Sequence, residues 1–301
     1  MAEKRWIREY LRPLVKSPGA HMIRDDVAIL RPATIVTTDT LVEGVHFFPD
    51  DPVYTLAWKL VRVNVSDIVA KGGFPLEALL NISWPNRRPE SDFALFSVAL
   101  GNALADRDIA LIGGDTVVHD GPLMLSMTLT GNVYSESGQP IRRTGAKVGD
   151  GIYVSGKIGW GAQGLSDRQA GLETEAARRY QVPEIPGEDV ARLIATHATA
   201  SMDVSDGMLI DLTALLDASA VGAELELERV PLCRPIAGTE DLLSLVTGGD
   251  DYQCLFTASE LPILEAGLQV TKVGRIVAGT ELSLLYRNQS IPLPQRLGFD
   301  H

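Results

Sequence analysis

The chain has 301 residues, 45% of them hydrophobic, so it can bury a sizeable core in two domains or one large one. Its 39 acidic residues outnumber its 27 basic ones, and the formal charge of -12 makes nucleic acid and anionic membrane surfaces unfavourable partners. No apolar run reaches the roughly 18 residues that a membrane span needs, and the first residues lack the apolar core of a secretion signal, so we expect a cytoplasmic protein.

Helical and strand patterns alternate through the first half of the chain. A helix is predicted from Asp51-Pro52 to Gly72-Gly73, with Asp51 as its N-cap before a first-turn proline. It carries Asp67 near its C-terminal end. The other predicted elements of this half are a buried strand over Pro75–Ser83, a helix over Pro89–Asp106, a strand over Ile109–Ile112 that ends at Gly113-Gly114, and a half-buried strand over Leu123–Thr130.

A domain boundary is predicted near residue 150, where a polar, glycine-rich turn precedes a new strand. We therefore divide the chain into residues 1–149 and 150–301. The predicted elements of the second half are a strand over Ile152–Ser155, a helical stretch containing Ala162, Leu165 and Leu172, a linker over Pro183–Pro186, helices over Glu188–Ala198 and Asp206–Ala218, and strands over Ala223–Leu227 and Tyr252–Thr257 with a short helix between them.

Six short acidic signatures, each set among apolar or glycine-rich residues, are spread along the chain. Aspartate is unfavourable in apolar surroundings unless something pairs with it. Two carboxylates about 4 Å apart repel by roughly 4 kcal/mol at an intermediate dielectric, so bringing several together requires counter-charge, which divalent metal supplies. The signatures are Asp25-Asp26, Thr37-Thr38-Asp39, Ser66-Asp67, Gly113-Gly114-Asp115, Asp203-Val204-Ser205-Asp206 and Gly248-Gly249-Asp250-Asp251.

These oxygen ligands suit Mg²⁺, which prefers a near-octahedral shell completed by water and substrate phosphate. Hydroxyl groups of Thr37, Thr38 and Ser205 add ligands without charge, and the glycines beside Asp115 let backbone amides approach a phosphate. The pattern predicts a polyphosphate held through metal ions. Phosphoryl transfer would suit such a site, since it depends chiefly on alignment and electrostatic stabilisation.

Each signature also has an ordinary explanation when it is taken alone. Asp25-Asp26 fits a solvated turn, Ser205-Asp206 fits a helix cap and Gly113-Gly114-Asp115 fits the end of a strand. Only the whole set favours a common site. The single residues have similar alternatives, with His46 as a core histidine, Arg143 as surface charge and Phe299 as a packing residue.

The ordered set of signatures closely resembles thiamine-monophosphate kinases over nearly the whole chain, most specifically in the string from Thr38 to Phe47. These enzymes belong to an ATP-binding group that includes aminoimidazole ribonucleotide synthetase, selenophosphate synthetase and a hydrogenase maturation factor. The resemblance implies a mixed α/β (α+β) fold with two domains, of the aminoimidazole ribonucleotide synthetase type. In that fold the N-terminal domain contributes strands to a barrel that spans a homodimer.

The implied activity is ATP-dependent phosphorylation of thiamine monophosphate to thiamine diphosphate. The acceptor phosphate attacks in line, several Mg²⁺ ions assist, and no residue acts as a covalent nucleophile. By resemblance, ATP-binding positions are Gly114, Asp115, Arg143 and Ser205, and substrate-binding positions are His46, Asp250 and Phe299. The implied metal-binding positions are Asp26, Thr37, Thr38, Asp39, Asp67, Asp115, Asp203 and Asp206.

The sequence departs from the family pattern at Asp250, where a glutamate is usual, and the region between Gly164 and Ala200 is shorter than in relatives. Asp250 keeps the negative charge of a glutamate, but its side chain is shorter. Two alternative functions therefore remain open. The chain could be another ATP-dependent synthetase of the same group that acts on a different small substrate, or a catalytically silent nucleotide sensor.

Overall fold

The first half of the chain forms a mixed β-sheet with two long helices packed on one face. The structure is a computed structural model that describes residues 5–261 and 268–299. The elements are β1 (Ala28–Arg31), β2 (Thr34–Val42), α1 (Val53–Ala70), β3 (Gly73–Pro85), α2 (Glu90–Ala105), β4 (Ala110–His119) and β5 (Met124–Val133). Within the described residues the strand order is β1-β2-β5-β3-β4. Strands β3 and β4 run parallel, and the other neighbouring pairs run antiparallel.

The second half forms a larger sheet with helices around it. Its strands are β6 (Gly151–Ser155), β7 (Ala200–Asp203), β8 (Gly222–Glu226), β9 (Cys254–Ala258), β10 (Val270–Val277), β11 (Leu282–Tyr286) and β12 (Gln289–Ile291). Its helices are α3 (Trp160–Gln169), α4 (Glu175–Gln181), α5 (Glu188–His197), α6 (Met208–Ser219) and α7 (Thr239–Val246). The strand order is β12-β11-β8-β10-β6-β9-β7 in the described part of the chain.

Helix α1 lies at the junction of the two halves. It contacts β2, β3 and β5 of the first sheet and also β7 and β9 of the second. For this reason 14 of its 18 residues are buried, including the polar residues Lys59, Asn64 and Ser66. A buried polar side chain is unfavourable without a partner, so α1 must supply and receive hydrogen bonds on several sides. The candidate site lies around these polar residues of α1.

The strongest pattern of the first half is confirmed at β5. Leu125, Met127 and Leu129 are fully buried, whereas the alternate positions Ser126 and Thr128 are partly exposed. Because side chains alternate across a strand, one face of this sheet packs on α1 and α2 and the other stays open. Residues 134–150 connect the two sheets, and the boundary between residues 149 and 150 stays a prediction.

Two details of the first half were predicted wrongly. The first is the cap of α1, because the Asp51 carboxylate accepts a hydrogen bond from the Phe48 amide at 2.8 Å and pairs with Arg168, while Pro52 occupies the cap position without a side-chain bond. The second is the end of β4, which continues through Gly113-Gly114 to His119. A Cβ on Gly114 would lie 1.8 Å from the Leu80 carbonyl oxygen, so this glycine permits close strand packing instead of a turn.

In the second half the predicted helices over 188–198 and 206–218 are confirmed as α5 and α6, and the predicted strands correspond to β6, β8 and β9. Strands β7, β10, β11 and β12 were not predicted. The alternation of β10 is interrupted by an irregularity between Lys272 and Gly274, which removes the period-two signal. Within the described residues no helix combines the length and apolar character that a membrane crossing requires.

Candidate active site

Three aspartates from separate parts of the chain bring their carboxylates together in the interior. Asp26 lies in the loop before β1, Asp67 lies near the C-terminal end of α1, and Asp203 is the last residue of β7. One carboxylate oxygen from each lies within 4.8 Å of the others. A donor set made only of oxygen atoms fits a hard divalent cation such as Mg²⁺.

Hydroxyl and amide groups hold these carboxylates in place. The Thr37 hydroxyl on β2 contacts Asp67 Oδ2 and lies 3.1 Å from the Asp26 carbonyl oxygen. Ser66 Oγ donates to Asp203 Oδ2 at 2.8 Å. The Asp39 amide donates to Asn64 Oδ1 at 3.1 Å and so fixes β2 against α1. The cluster therefore depends on β2, α1 and β7 meeting at one point.

Asp39 acts electrostatically on Asp67 and Asp203, so it belongs to the same acidic cluster. The cluster therefore comprises Asp26, Asp39, Asp67 and Asp203, and burial with mutual repulsion raises the pKa values of the last three. Burial raises the pKa of Asp39 to about 6 and that of Asp203 to about 7, and the charge of Asp26 adds to both shifts. The pKa of Asp67 lies well above its ordinary range because the side chain is buried and Asp39 is close. Such groups resist ionisation until a cation arrives, which is the electrostatic condition for a metal site.

Asp26 is the exception because two cations of the protein already face it. Burial alone would raise its pKa, but Arg143 and Lys71 outweigh burial and lower the pKa. Arg143 Nε donates to Asp26 Oδ1 at 2.8 Å. Lys71 Nζ lies 2.5 Å from Asp26 Oδ2 and 2.5 Å from Asp25 Oδ1, and it also donates to the Ser201 carbonyl oxygen. Sequence analysis missed Lys71, whose partners are distant in the chain.

A second set of predicted residues lies in a turn that follows the cluster. Ser205 and Asp206 connect β7 to α6, and Asp211 Oδ2 accepts hydrogen bonds from the amides of Ser205, Asp206 and Gly207, each at 3.1 Å. Helix α6 begins at Met208 without a side-chain cap, so Ser205-Asp206 does not cap it. Asp211 was missed, although an acidic residue four positions after a Ser-Asp-Gly turn is a usable signal.

The two aspartates of the signature at 248–251, Asp250 and Asp251, have different roles. Asp250 Oδ1 accepts a hydrogen bond from the Tyr252 hydroxyl at 2.9 Å, and Asp250 Oδ2 lies 3.0 Å from Lys59 Nζ. Asp251 is buried and accepts hydrogen bonds from the amides of Gly159 and Gly161, at the start of α3. Asp250 therefore faces the site, while Asp251 holds the helix start.

One cavity of about 520 Å³ joins these groups. It is lined by two kinds of residues. The predicted site residues on its wall are His46, Asp39, Asp67, Asp203, Ser205, Asp206, Asp250 and Phe299. Apolar and aromatic side chains complete the wall, among them Leu41, Val45, Val63, Leu165, Tyr180 and Tyr252. His46 Nδ1 accepts a hydrogen bond from the Val42 amide at 3.0 Å, which fixes the ring orientation.

Some predicted residues belong to the carboxylate cluster or contact it but do not line this cavity, namely Asp26, Thr37 and Arg143. Three further predicted residues lie apart from the site in the single chain. The Thr38 hydroxyl points to the open face of the first sheet and donates to the Met127 carbonyl oxygen at 3.0 Å. Asp115 lies in the middle of β4, where the strand register aligns it with Asn81 on β3. Strands β3 and β5 lie between β4 and β2, so three strand spacings separate Asp115 from β2, about 14 Å in all. Gly114 lies beside it.

Comparisons with known proteins agree along nearly the whole chain. The family model "AIR synthase related protein, N-terminal domain" matches residues 24–133, and "AIR synthase related protein, C-terminal domain" matches residues 147–287. A thiamine-monophosphate kinase from Caulobacter vibrioides is 36% identical over 318 residues, covering 98% of this chain and 89% of that protein.

Two solved structures are similar to the chain over the same extent. One is described as "AaThiL complexed with AMPPCP and TMP", with a TM-score of 0.82, 28% identity and coverage of 96% of this chain and 94% of the other. The other is a thiamine-monophosphate kinase from Stenotrophomonas maltophilia K279a, with a TM-score of 0.75, 31% identity and coverage of 97% of each chain.

Proposed function

Because this chain belongs to the thiamine-monophosphate kinase family of AIR synthase related proteins, we propose that it phosphorylates thiamine monophosphate to thiamine diphosphate with ATP as donor. The observation that carries the proposal is that the carboxylates of Asp39, Asp67 and Asp203 share the wall of one cavity with groups suited to a small organic phosphate. The similar structure that was solved with AMPPCP and TMP supports the same pair of substrates.

We assign the metal-binding role to the carboxylates around the cavity. Asp39, Asp67 and Asp203 would hold Mg²⁺, with Asp26 and the Thr37 hydroxyl at its edge and Asp206 reaching it from the adjacent turn. The raised pKa values of the first three support this assignment, since each carboxylate gains most from a cation. Bound Mg²⁺ would offset the charge of the ATP phosphates.

The chain's own residues would position both phosphates for direct transfer. Arg143 and Ser205 are suited to contact the ATP phosphates, and His46 is suited to donate a hydrogen bond to the acceptor phosphate. An oxygen of the acceptor phosphate forms the new bond to the γ-phosphorus, and the bond to the leaving ADP breaks. A phosphate monoester loses its second proton near pH 6, so no general base and no covalent nucleophile is required at neutral pH.

The acceptor end of the cavity suits a cationic heteroaromatic ring. Phe299 and Tyr252 offer aromatic surface, and Asp250, which is paired with Lys59, lies beside them. A thiazolium ring combines a positive charge with a flat face, so it gains from contact with the aromatic surface. The ATP requirement supports a cytoplasmic location, and we propose that residues 1–149 bind nucleotide and metal while residues 150–301 complete the acceptor pocket.

We further infer that the protein acts as a homodimer and that Asp115 serves the partner's site. Strand β4 is an edge strand, and its apolar residues Leu111, Ile112, Val117 and Val118 are 48–63% exposed. Beyond Val36, β2 pairs with no strand on its β1 side in the part of the chain that the structure describes. Pairing β4 of one copy with this free part of β2 in the other would bring Asp115 to Asp39.

A coupled assay tests the function. Purified protein with ATP, Mg²⁺ and thiamine monophosphate is expected to yield equimolar thiamine diphosphate and ADP, separated by chromatography, and unphosphorylated thiamine serves as the control acceptor. If the nucleotide binds but neither product forms, a silent nucleotide sensor is the better explanation. If ADP forms only with a different small substrate, the chain is another synthetase of the group.

A further inference from the structure

Lys59 on helix α1 is a buried cation whose contacts all lie around the acceptor end of the cavity. Its side chain is 1% exposed. The ammonium donates to the His46 carbonyl oxygen at 2.8 Å and to Asp250 Oδ2 at 3.0 Å, and it lies 4.1 Å from the centre of the Tyr180 ring. An ammonium has three donors and no acceptor, so these contacts account for its charge and most of its hydrogen-bonding capacity.

The three partners belong to three separate segments of the chain. His46 lies in the loop after β2, Tyr180 lies on α4, and Asp250 lies in the loop before β9. All three line the cavity. The Tyr180 hydroxyl also lies 3.4 Å from the His46 carbonyl oxygen, so the segments converge on one point. A single buried ammonium therefore fixes the relative positions of three parts of the wall.

Lys59 also determines how Asp250 presents its charge. Both carboxylate oxygens are engaged, Oδ2 by Lys59 and Oδ1 by the Tyr252 hydroxyl at 2.9 Å. Asp250 has a backbone φ of 66°, a left-handed conformation that is uncommon for residues other than glycine. The side chain is thus held from both ends in a strained loop. Without Lys59, its negative charge would face an entering phosphate ester uncompensated.

We propose that Lys59 is a positioning residue for the phosphate acceptor, which neutralises Asp250 and holds His46, Tyr180 and Asp250 in one arrangement. The inference rests on the proposed kinase function and goes beyond it, because it concerns how the acceptor pocket admits an anionic ester.

The test compares steady-state kinetics of wild type, Lys59→Met and Lys59→Arg, with both substrates varied. In Lys59→Met the KM for thiamine monophosphate is expected to rise about tenfold or more, while the KM for MgATP stays within about twofold. Lys59→Arg keeps the charge and is expected to recover part of the loss. Arg62→Met is the matched control, because Arg62 lies on the same helix but binds the Pro183 carbonyl oxygen and packs on Trp58 outside the cavity.

A double variant separates charge from general damage. If Lys59 neutralises Asp250, then Lys59→Met with Asp250→Asn removes both charges and is expected to bind thiamine monophosphate more tightly than Lys59→Met alone. An unchanged KM for thiamine monophosphate in Lys59→Met overturns the inference. So does an equal rise of both KM values without rescue by Lys59→Arg, which would mark a purely structural lysine. Absence of wild-type turnover instead overturns the proposed function.

Discussion

Lys71 and Asp26 form an ion pair in the interior of the protein, with Nζ 2.5 Å from Oδ2 and both side chains at most 1% exposed. Lys71 follows α1 directly and also contacts Asp25 and the Ser201 carbonyl oxygen. The acidic cluster therefore contains a cation of its own before any metal binds. The stability of the metal-free protein should therefore depend on this ion pair at the proposed metal site, and unfolding experiments can measure that dependence.

Removing this cation is expected to make the fold depend on metal. Lys71→Met leaves the buried Asp25 carboxylate without its cation and Asp26 with Arg143 alone, and the loss of one member of a buried pair costs about 3–5 kcal/mol. The melting temperature in EDTA should fall markedly, and millimolar Mg²⁺ should restore part of it. Thermal unfolding with EDTA and with Mg²⁺ checks both. Lys147→Met serves as the control, because Lys147 is exposed, and it should change neither melting temperature. Equal melting temperatures of Lys71→Met and wild type in EDTA would contradict the role of Lys71.

The raised pKa values predict a pH dependence of the metal-free protein. Asp39 has a folded pKa of about 6 and Asp203 of about 7, both above the ordinary value of 3.8. A raised folded pKa contributes stability that is fully present below the unfolded pKa and is lost as pH rises through the folded pKa. In EDTA, the free energy of unfolding should therefore fall between about pH 4 and pH 7 through these two groups.

The comparison with Asp203→Asn isolates one of these contributions. The variant lacks the titrating carboxylate, so its stability should decline less steeply over the same pH range than that of wild type. Chemical denaturation in EDTA at a series of pH values gives both curves. Parallel curves would mean that Asp203 does not titrate as its surroundings indicate. Mg²⁺ should flatten the wild-type curve, because a bound cation favours the ionised carboxylates.

The cluster carboxylates should be needed for turnover and unfavourable for stability. Asp39→Asn and Asp67→Asn each remove a proposed metal ligand, so turnover should fall by about two or more orders of magnitude, since phosphate charge is left uncompensated. Because the substitutions also relieve repulsion among buried carboxylates, the melting temperature in EDTA should hold or rise. Asp217→Asn, on the exposed face of α6, is the control. Wild-type rates in both cluster variants would refute their assigned roles.

Sequence patterns predicted α1 and β5 well because each has a strong, regular apolar period. They also identified Asp39, Asp67 and Asp203, which line one cavity. The patterns could not identify Lys59 or Lys71. Each lysine is separated from its acidic partner by 45 to 191 residues, and only the packing of α1 between two sheets brings them together. A buried lysine in a helix cannot be distinguished by sequence from a solvated one.

The predicted end of strand β4 was wrong for a different reason. Gly113-Gly114 suggested a strand end, yet the glycines serve close packing against β3 within a longer strand. Asp115 consequently lies far from the acidic cluster of its own chain, although sequence analysis predicted one common site for all the acidic signatures. A pattern in the sequence of one chain does not show whether a second copy brings Asp115 close to the acidic cluster. Its role therefore has to be tested in an assembly of two copies.

Complementation between two inactive variants provides that test. Asp67→Asn disables the cluster of its own chain, and Asp115→Asn disables the residue that its chain would lend to the partner. In a mixed dimer, one site combines native Asp67 from one copy with native Asp115 from the other, while the second site carries both substitutions. Random pairing makes about half of the dimers mixed, each with one intact site, so activity should return to about a quarter of wild type.

The same experiment distinguishes the two placements of Asp115. If Asp115 acted within its own chain, every site in the mixture would carry one substitution, and no activity would return. Co-expression with two affinity tags isolates the mixed dimer, in which about half of wild-type activity is expected. Ile112→Lys on the exposed edge of β4 should prevent pairing, since a buried lysine would face the partner's strand, and it should abolish activity together with dimerisation.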